Sequence, residues 1–77
     1  MITEICMTDE HLQVLNAGGT VGYVAEGHAI DVDDVFAVYN SAGVPVRFAV
    51  VTWTIVTDTE THLGLEAWDE GEIGKAH

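Results

Sequence analysis

The segment 44–57, VPVRFAVVTWTIVT, constrains the fold more than any other part of this chain. It is dense in β-branched and aromatic residues, and its proline lies near the start, where a strand tolerates one. It reads as a long strand whose alternation changes phase. Val46, Phe48 and Val50 fall on one face, and Val51, Trp53 and Ile55 fall on the other. A strand with a two-residue repeat cannot turn both sets to one side without a bulge or a sharp twist. Long bent strands of this kind suit small barrels, where one strand serves two parts of the wall.

The rest of the chain offers partners for that strand. Residues 2–7, ITEICM, read as a short strand in which Cys6 is expected as a buried structural thiol. Thr8 is placed as a helix N-cap, and Asp9 and Glu10 suit the positive end of the helix dipole. Leu12 and Leu15, with Val14, give the helix over 8–17 an apolar face, and Gly18-Gly19 ends it. Strands follow at 20–25 and 35–39, with a loop at 27–30 and a hairpin turn at Asn40–Gly43. Beyond Asp58 the chain turns polar, and Leu63, Leu65 and Trp68 are expected on one face of a helical turn. Seventy-seven residues make a single domain, 1–77. The pattern predicts an α+β fold: a small, partly open, barrel-like antiparallel sheet with one short N-terminal helix.

Charge narrows the function classes. Thirteen Asp and Glu stand against two basic residues, Arg47 and Lys75, for a formal net charge of −11. Such a field repels nucleic acid and anionic lipid, so neither DNA nor RNA is expected as a direct partner. Basic protein surfaces are the natural complement. Arg47 is expected to pair with an acid on a neighbouring strand. The N-terminus lacks a basic region followed by an apolar one, and no run is long enough to span a bilayer, so a cytoplasmic protein without a membrane partner is the default reading.

Candidate chemistry is sparse. One cysteine excludes an internal disulfide. His28 with Asp31, Asp33 and Asp34 is the best metal-like cluster, but it matches neither zinc spacing nor the calcium-loop pattern, and a solvated acidic loop is the better reading. No dedicated metal or cofactor is expected. Ser41, the sole serine, sits in a turn without a nucleophile motif. Glu70 and Glu72 flank a glycine and are expected in solvent. Trp53 is expected in the core, and Trp68 half-exposed, where it could anchor a partner.

The stretch from Leu12 to Glu72 resembles the ASCH domain, a small PUA-like β-barrel. Leu12 to Gly18 is similar to that family's helix and glycine turn, Val32-Asp33-Asp34 to the Gly-Asp before a barrel strand, and Ala42-Gly43-Val44-Pro45 to its hairpin turn. Glu70-Gly71-Glu72 is similar to an acid-glycine-acid element of one bacterial branch. The family's helix turn normally reads Gly-x-Lys-Thr, and here it reads Gly18-Gly19-Thr20-Val21. The resemblance implies that the lysine needed for amidohydrolase activity is missing, so no turnover of acylated nucleosides is expected. It also implies a shortened barrel without its final strand.

Three readings follow. The first is a non-enzymatic, acidic interaction protein, a nucleic-acid-mimicking inhibitor of a basic partner of the phage or mobile-element type. Its expected partner-binding residues are Asp31, Asp33, Asp34, Glu66, Trp68, Asp69, Glu70 and Glu72. The second is a degenerate ASCH-like barrel binding a small nucleoside-like ligand. The third is a halophile-adapted domain. The missing strand further predicts a homodimer through Val51, Trp53 and Ile55, tightening with salt because each copy carries −11.

Overall fold

Alternating apolar side chains gather five strands into one curled sheet. The computed structural model describes residues 3–68. Along the chain run β1 (Thr3–Cys6), α1 (Asp9–Asn16), β2 (Val21–Glu26), β3 (Val35–Tyr39), β4 (Pro45–Val56) and β5 (Glu60–Trp68). Across the sheet the order is β1-β3-β4-β5-β2. Neighbours are antiparallel except β1, which runs parallel to β3. The predicted α+β half-barrel with one short helix is therefore present, but its sheet is mixed rather than purely antiparallel. A parallel pair needs a crossover instead of a hairpin. Here the chain leaves β1 through α1 and reaches β2 at the opposite edge. The sheet curls enough for Tyr23 of β2 to meet Phe36 of β3 edge-to-face, with ring centroids 6.2 Å apart.

Local chemistry fixes the helix. Thr8 Oγ1 accepts the His11 N–H at 3.3 Å, and Asp9 and Glu10 occupy the first turn. At the other end Gly18 takes φ +88°, with its N–H donating to the Leu15 carbonyl, while Gly19 N–H donates to the Val14 carbonyl. This reciprocal pair satisfies the last carbonyls and needs the left-handed conformation that glycine adopts freely. Leu15 is thereby held fully buried in the curl, among Ile5, Met7, Phe36, Val38, Val51, Leu63 and Leu65.

Two expectations change in the sheet. Residues 60–68 form no helical turn; they form β5, which pairs with β4 on one side and β2 on the other. Leu63 and Leu65 share the core face, and Trp68 lies on the opposite face. The segment's glycine and acids make it a poor strand by propensity, but two neighbours supply its backbone hydrogen bonds and override that preference. The second change concerns β4. Its register shifts between Val51, opposite Leu65, and Trp53, opposite Gly64, so Thr52 is the extra residue of a bulge. The bulge resolves the phase change differently from the expected split. It returns Trp53 and Ile55 to the outer face that Phe48 and Val50 already occupy. Of Val51, Trp53 and Ile55, only Val51 enters the core, beside Ala49 of the same strand.

Candidate functional site

The convex, outer face of the sheet carries the most unusual surface of the molecule. Cross-strand registers set its rows. Glu4, Ala37, Phe48 and Trp68 form one; Val35, Val50 and Glu66 a second; Trp53, Gly64 and Gly22 a third; Ile55, His62 and Val24 a fourth. Phe48 and Trp68 pack edge-to-face with centroids 5.8 Å apart. Trp53 lies over Gly64, where a Cβ would stand 2.2 Å from its Nε1. A side chain at 64 would thus lift the indole off the sheet. Trp53 remains 42% exposed, Ile55 63% and Val24 48%. Near the hairpin end of β3 and β4, Ala37, Tyr39, Val46 and Phe48 line a shallow groove of about 340 Å³.

Carboxylates rim this apolar field. Glu26 and Glu60 are register partners at one end, Glu66 follows Leu65 near the middle, and Glu4 stands at the β1 edge. Glu60 Oε1 lies 3.0 Å from His62 Nε2 on the same face. The Tyr39 hydroxyl donates to Glu4 Oε2, and this bond holds the phenol above its ordinary pKa of 10.0, because losing the proton would set two anions side by side.

The acidic loop between β2 and β3 stands beside β4. Asp33 N–H donates to the Val51 carbonyl at 2.8 Å, and Val51 N–H donates to the Asp34 carbonyl at 2.9 Å. Asp34 Oδ2 accepts the Asp31 N–H at 2.9 Å. His28 turns away from these aspartates, its Nε2 lying 2.6 Å from the Thr57 carbonyl. The His28–Asp cluster is therefore not convergent, and no group of metal-holding side chains is found among the described residues.

The expected partner residues divide accordingly. Asp31, Asp33 and Asp34 are exposed at the side of β4, and Glu66 and Trp68 are half-buried on the outer face. Asp69, Glu70 and Glu72 lie outside the described residues. The expected dimer trio is broken: Val51 is fully buried, so only Trp53 and Ile55 can meet a partner. Trp53 is correspondingly a surface residue and not a core one. Cys6 is exposed, because Ile5 and Met7 on either side of it turn inward. Among the described residues Arg47 pairs with no acid. Its Nη1 donates to Asn16 Oδ1 at the end of α1, and its buried Nε is unpaired. Val46 and Phe48 share a face, as their alternation in 44–57 predicts; the outer-face members Val24 and Tyr39 carry no such signal singly, and strict alternation through β2 and β3 is what finds them.

No described helix is long and apolar enough to cross a membrane. Comparison with protein-family models, curated proteins and solved structures finds no match.

Proposed function

We propose that this chain is a non-enzymatic interaction protein whose acid-rimmed outer sheet face engages a basic protein surface, in competition with nucleic acid. One observation carries the reading. The exposed apolar residues Val24, Trp53 and Ile55 share a sheet face with Glu26, Glu60 and Glu66, on a chain of net charge −11. An apolar centre with a charged rim is the anatomy of a recognition surface. The sign of the rim selects a partner rich in lysine and arginine, and steers it by long-range attraction. Nucleic-acid-binding surfaces have that chemistry, which is the basis of the mimicry reading. An interior ligand is less well supported, since Leu15, Phe36, Leu63 and Leu65 are fully buried inside the curl and fill it.

The test is affinity capture from cell extract at low and high salt, comparing the native chain with Ile55→Glu. Ile55 is exposed, so the variant keeps the fold while spoiling the apolar centre. The expected result is a set of proteins of high isoelectric point, lost at high salt and reduced by the variant. Equal retention by both chains, or a captured set no more basic than the extract, refutes the reading.

A further inference from the structure

β4 outruns its neighbour. β3 begins at Val35, opposite Val50, whereas β4 continues to Val56. Immediately before β3, Asp33 adopts φ 77°, a left-handed conformation that turns the chain off the β3 line. The loop from β2 then bonds this side of β4 at Val51, through the Asp33 N–H and the Asp34 carbonyl, and its His28 meets the Thr57 carbonyl at the hairpin end of β4 and β5. Among the described residues no strand pairs with Thr52–Val56 on that side, and no loop backbone hydrogen bond reaches it. Trp53 at 42%, Ile55 at 63% and Val56 at 59% are all exposed along this stretch. Sheet edges are ordinarily blunted by charge or proline, because unpaired N–H and C=O groups recruit other strands. Residues 52–57, TWTIVT, have neither.

We infer that Thr52–Val56 is a strand-addition site for an extended segment with an apolar centre and lysine or arginine at both ends. The inference rests on the basic-partner reading and supplies its mode of contact. Charge complementarity names the occupant. One end of the free stretch meets Asp33 and Asp34, and the other meets Asp58, so an incoming strand has carboxylates beside both its termini. Main-chain bonds along the edge provide affinity, and the alternating side chains fall beside Trp53 and Ile55 on the outer face. The same charges disfavour a second copy. A two-fold antiparallel pairing about Thr54 would set the Asp33 and Asp34 end of each chain against Asp58 of the other, twice over.

The test uses the isotope-labelled full chain and the peptide KKVTVTVKK, followed through the backbone amide resonances of residues 52–56. Two further peptides carry N-methyl groups on the valines or on the threonines. A fourth, EEVTVTVEE, reverses the charge. Strand pairing uses alternate N–H groups, so one N-methylated peptide should bind at least tenfold more weakly than the parent while the other keeps most of its affinity. The acidic peptide should not bind. If all three basic peptides bind within twofold of one another, basic recognition stands and strand addition is overturned. If KKVTVTVKK fails to bind while basic proteins are still captured from extract, strand addition is again overturned and the broader reading survives. If the same amides shift with protein concentration in the absence of peptide, a second copy occupies the edge and the inferred occupant is wrong.

Discussion

Gly64→Ala should destabilise the fold chiefly through its contact with Trp53. A Cβ at this position would lie 2.2 Å from Trp53 Nε1, 2.5 Å from Cε2 and 2.9 Å from Thr20 Cγ2. The indole must therefore leave the sheet. Trp53 is 42% exposed, so a little over half of its surface is covered. Covering roughly 140 Å² of a large aromatic side chain at about 25 cal/mol per Å² is worth roughly 3.5 kcal/mol, and that is an upper bound. A displaced ring keeps part of its contacts, leaving a loss of about 2 kcal/mol, and alanine's smaller backbone entropy offsets roughly 0.5–1 kcal/mol of it. The net expectation is a loss of about 1–1.5 kcal/mol. Urea unfolding with an unchanged m-value reads it, and in a Trp68→Phe background the emission of Trp53 should shift toward that of a solvated indole. Gly22→Ala is the control: it lies beside Gly64 in the same row, but its Cβ would meet nothing within 4 Å, so it should be neutral or slightly stabilising. In a Trp53→Ala background Gly64→Ala should lose most of its cost, with only the Thr20 methyl left to give way. A Gly64→Ala protein as stable as the native chain, with unchanged Trp53 emission, would refute the packing of Trp53 against β5 and with it the geometry of the outer face.

Other perturbations address separate parts of the structure. Thr8→Ala removes the acceptor of the His11 N–H and should cost about 1 kcal/mol in chemical unfolding, with Thr8→Ser close to native. Glu4→Gln should lower the Tyr39 pKa toward 10.0, measured by ultraviolet absorbance in a Tyr23→Phe background. Because the folded-state pKa is raised, the stabilisation from this bond is complete below the unfolded pKa and disappears as pH rises through the folded one. Cys6 should react with a thiol reagent in the native state, without denaturant, because its side chain lies on the outer face of β1.

Much of the fold is legible in the sequence, and the failures share a cause. Thr8, Gly18 and Gly19 specify the helix and its ends through local hydrogen bonds, so local reading finds it. The turn at Asn40–Gly43 is equally local: Asn40 Oδ1 accepts from Ala42 and Val44, and Gly43 takes φ +80°. β5 is not local. Its glycine admits Trp53, Glu60, His62 and Glu66 lie on the outer face and Thr61 is buried, so its strand character comes from β4 and β2 rather than from its own composition. The phase change in 44–57 calls for a bulge or a sharp twist without fixing which or where, and the position of the bulge decides whether Trp53 joins Val51 inside or Phe48 outside. The acids of the candidate site were visible as charge. Their arrangement around an apolar face and a free strand edge depends on sheet order, which no short-range pattern encodes.

The proposed role has the acid-rimmed surface occupying basic nucleic-acid-binding surfaces. Its most direct measurement is fluorescence anisotropy of labelled duplex DNA held by a basic protein captured from extract, titrated with the native chain. DNA should be released stoichiometrically, Ile55→Glu should release it poorly, and release should weaken as salt screens the attraction. Persistence of the DNA complex at saturating concentrations of this acidic chain would contradict it.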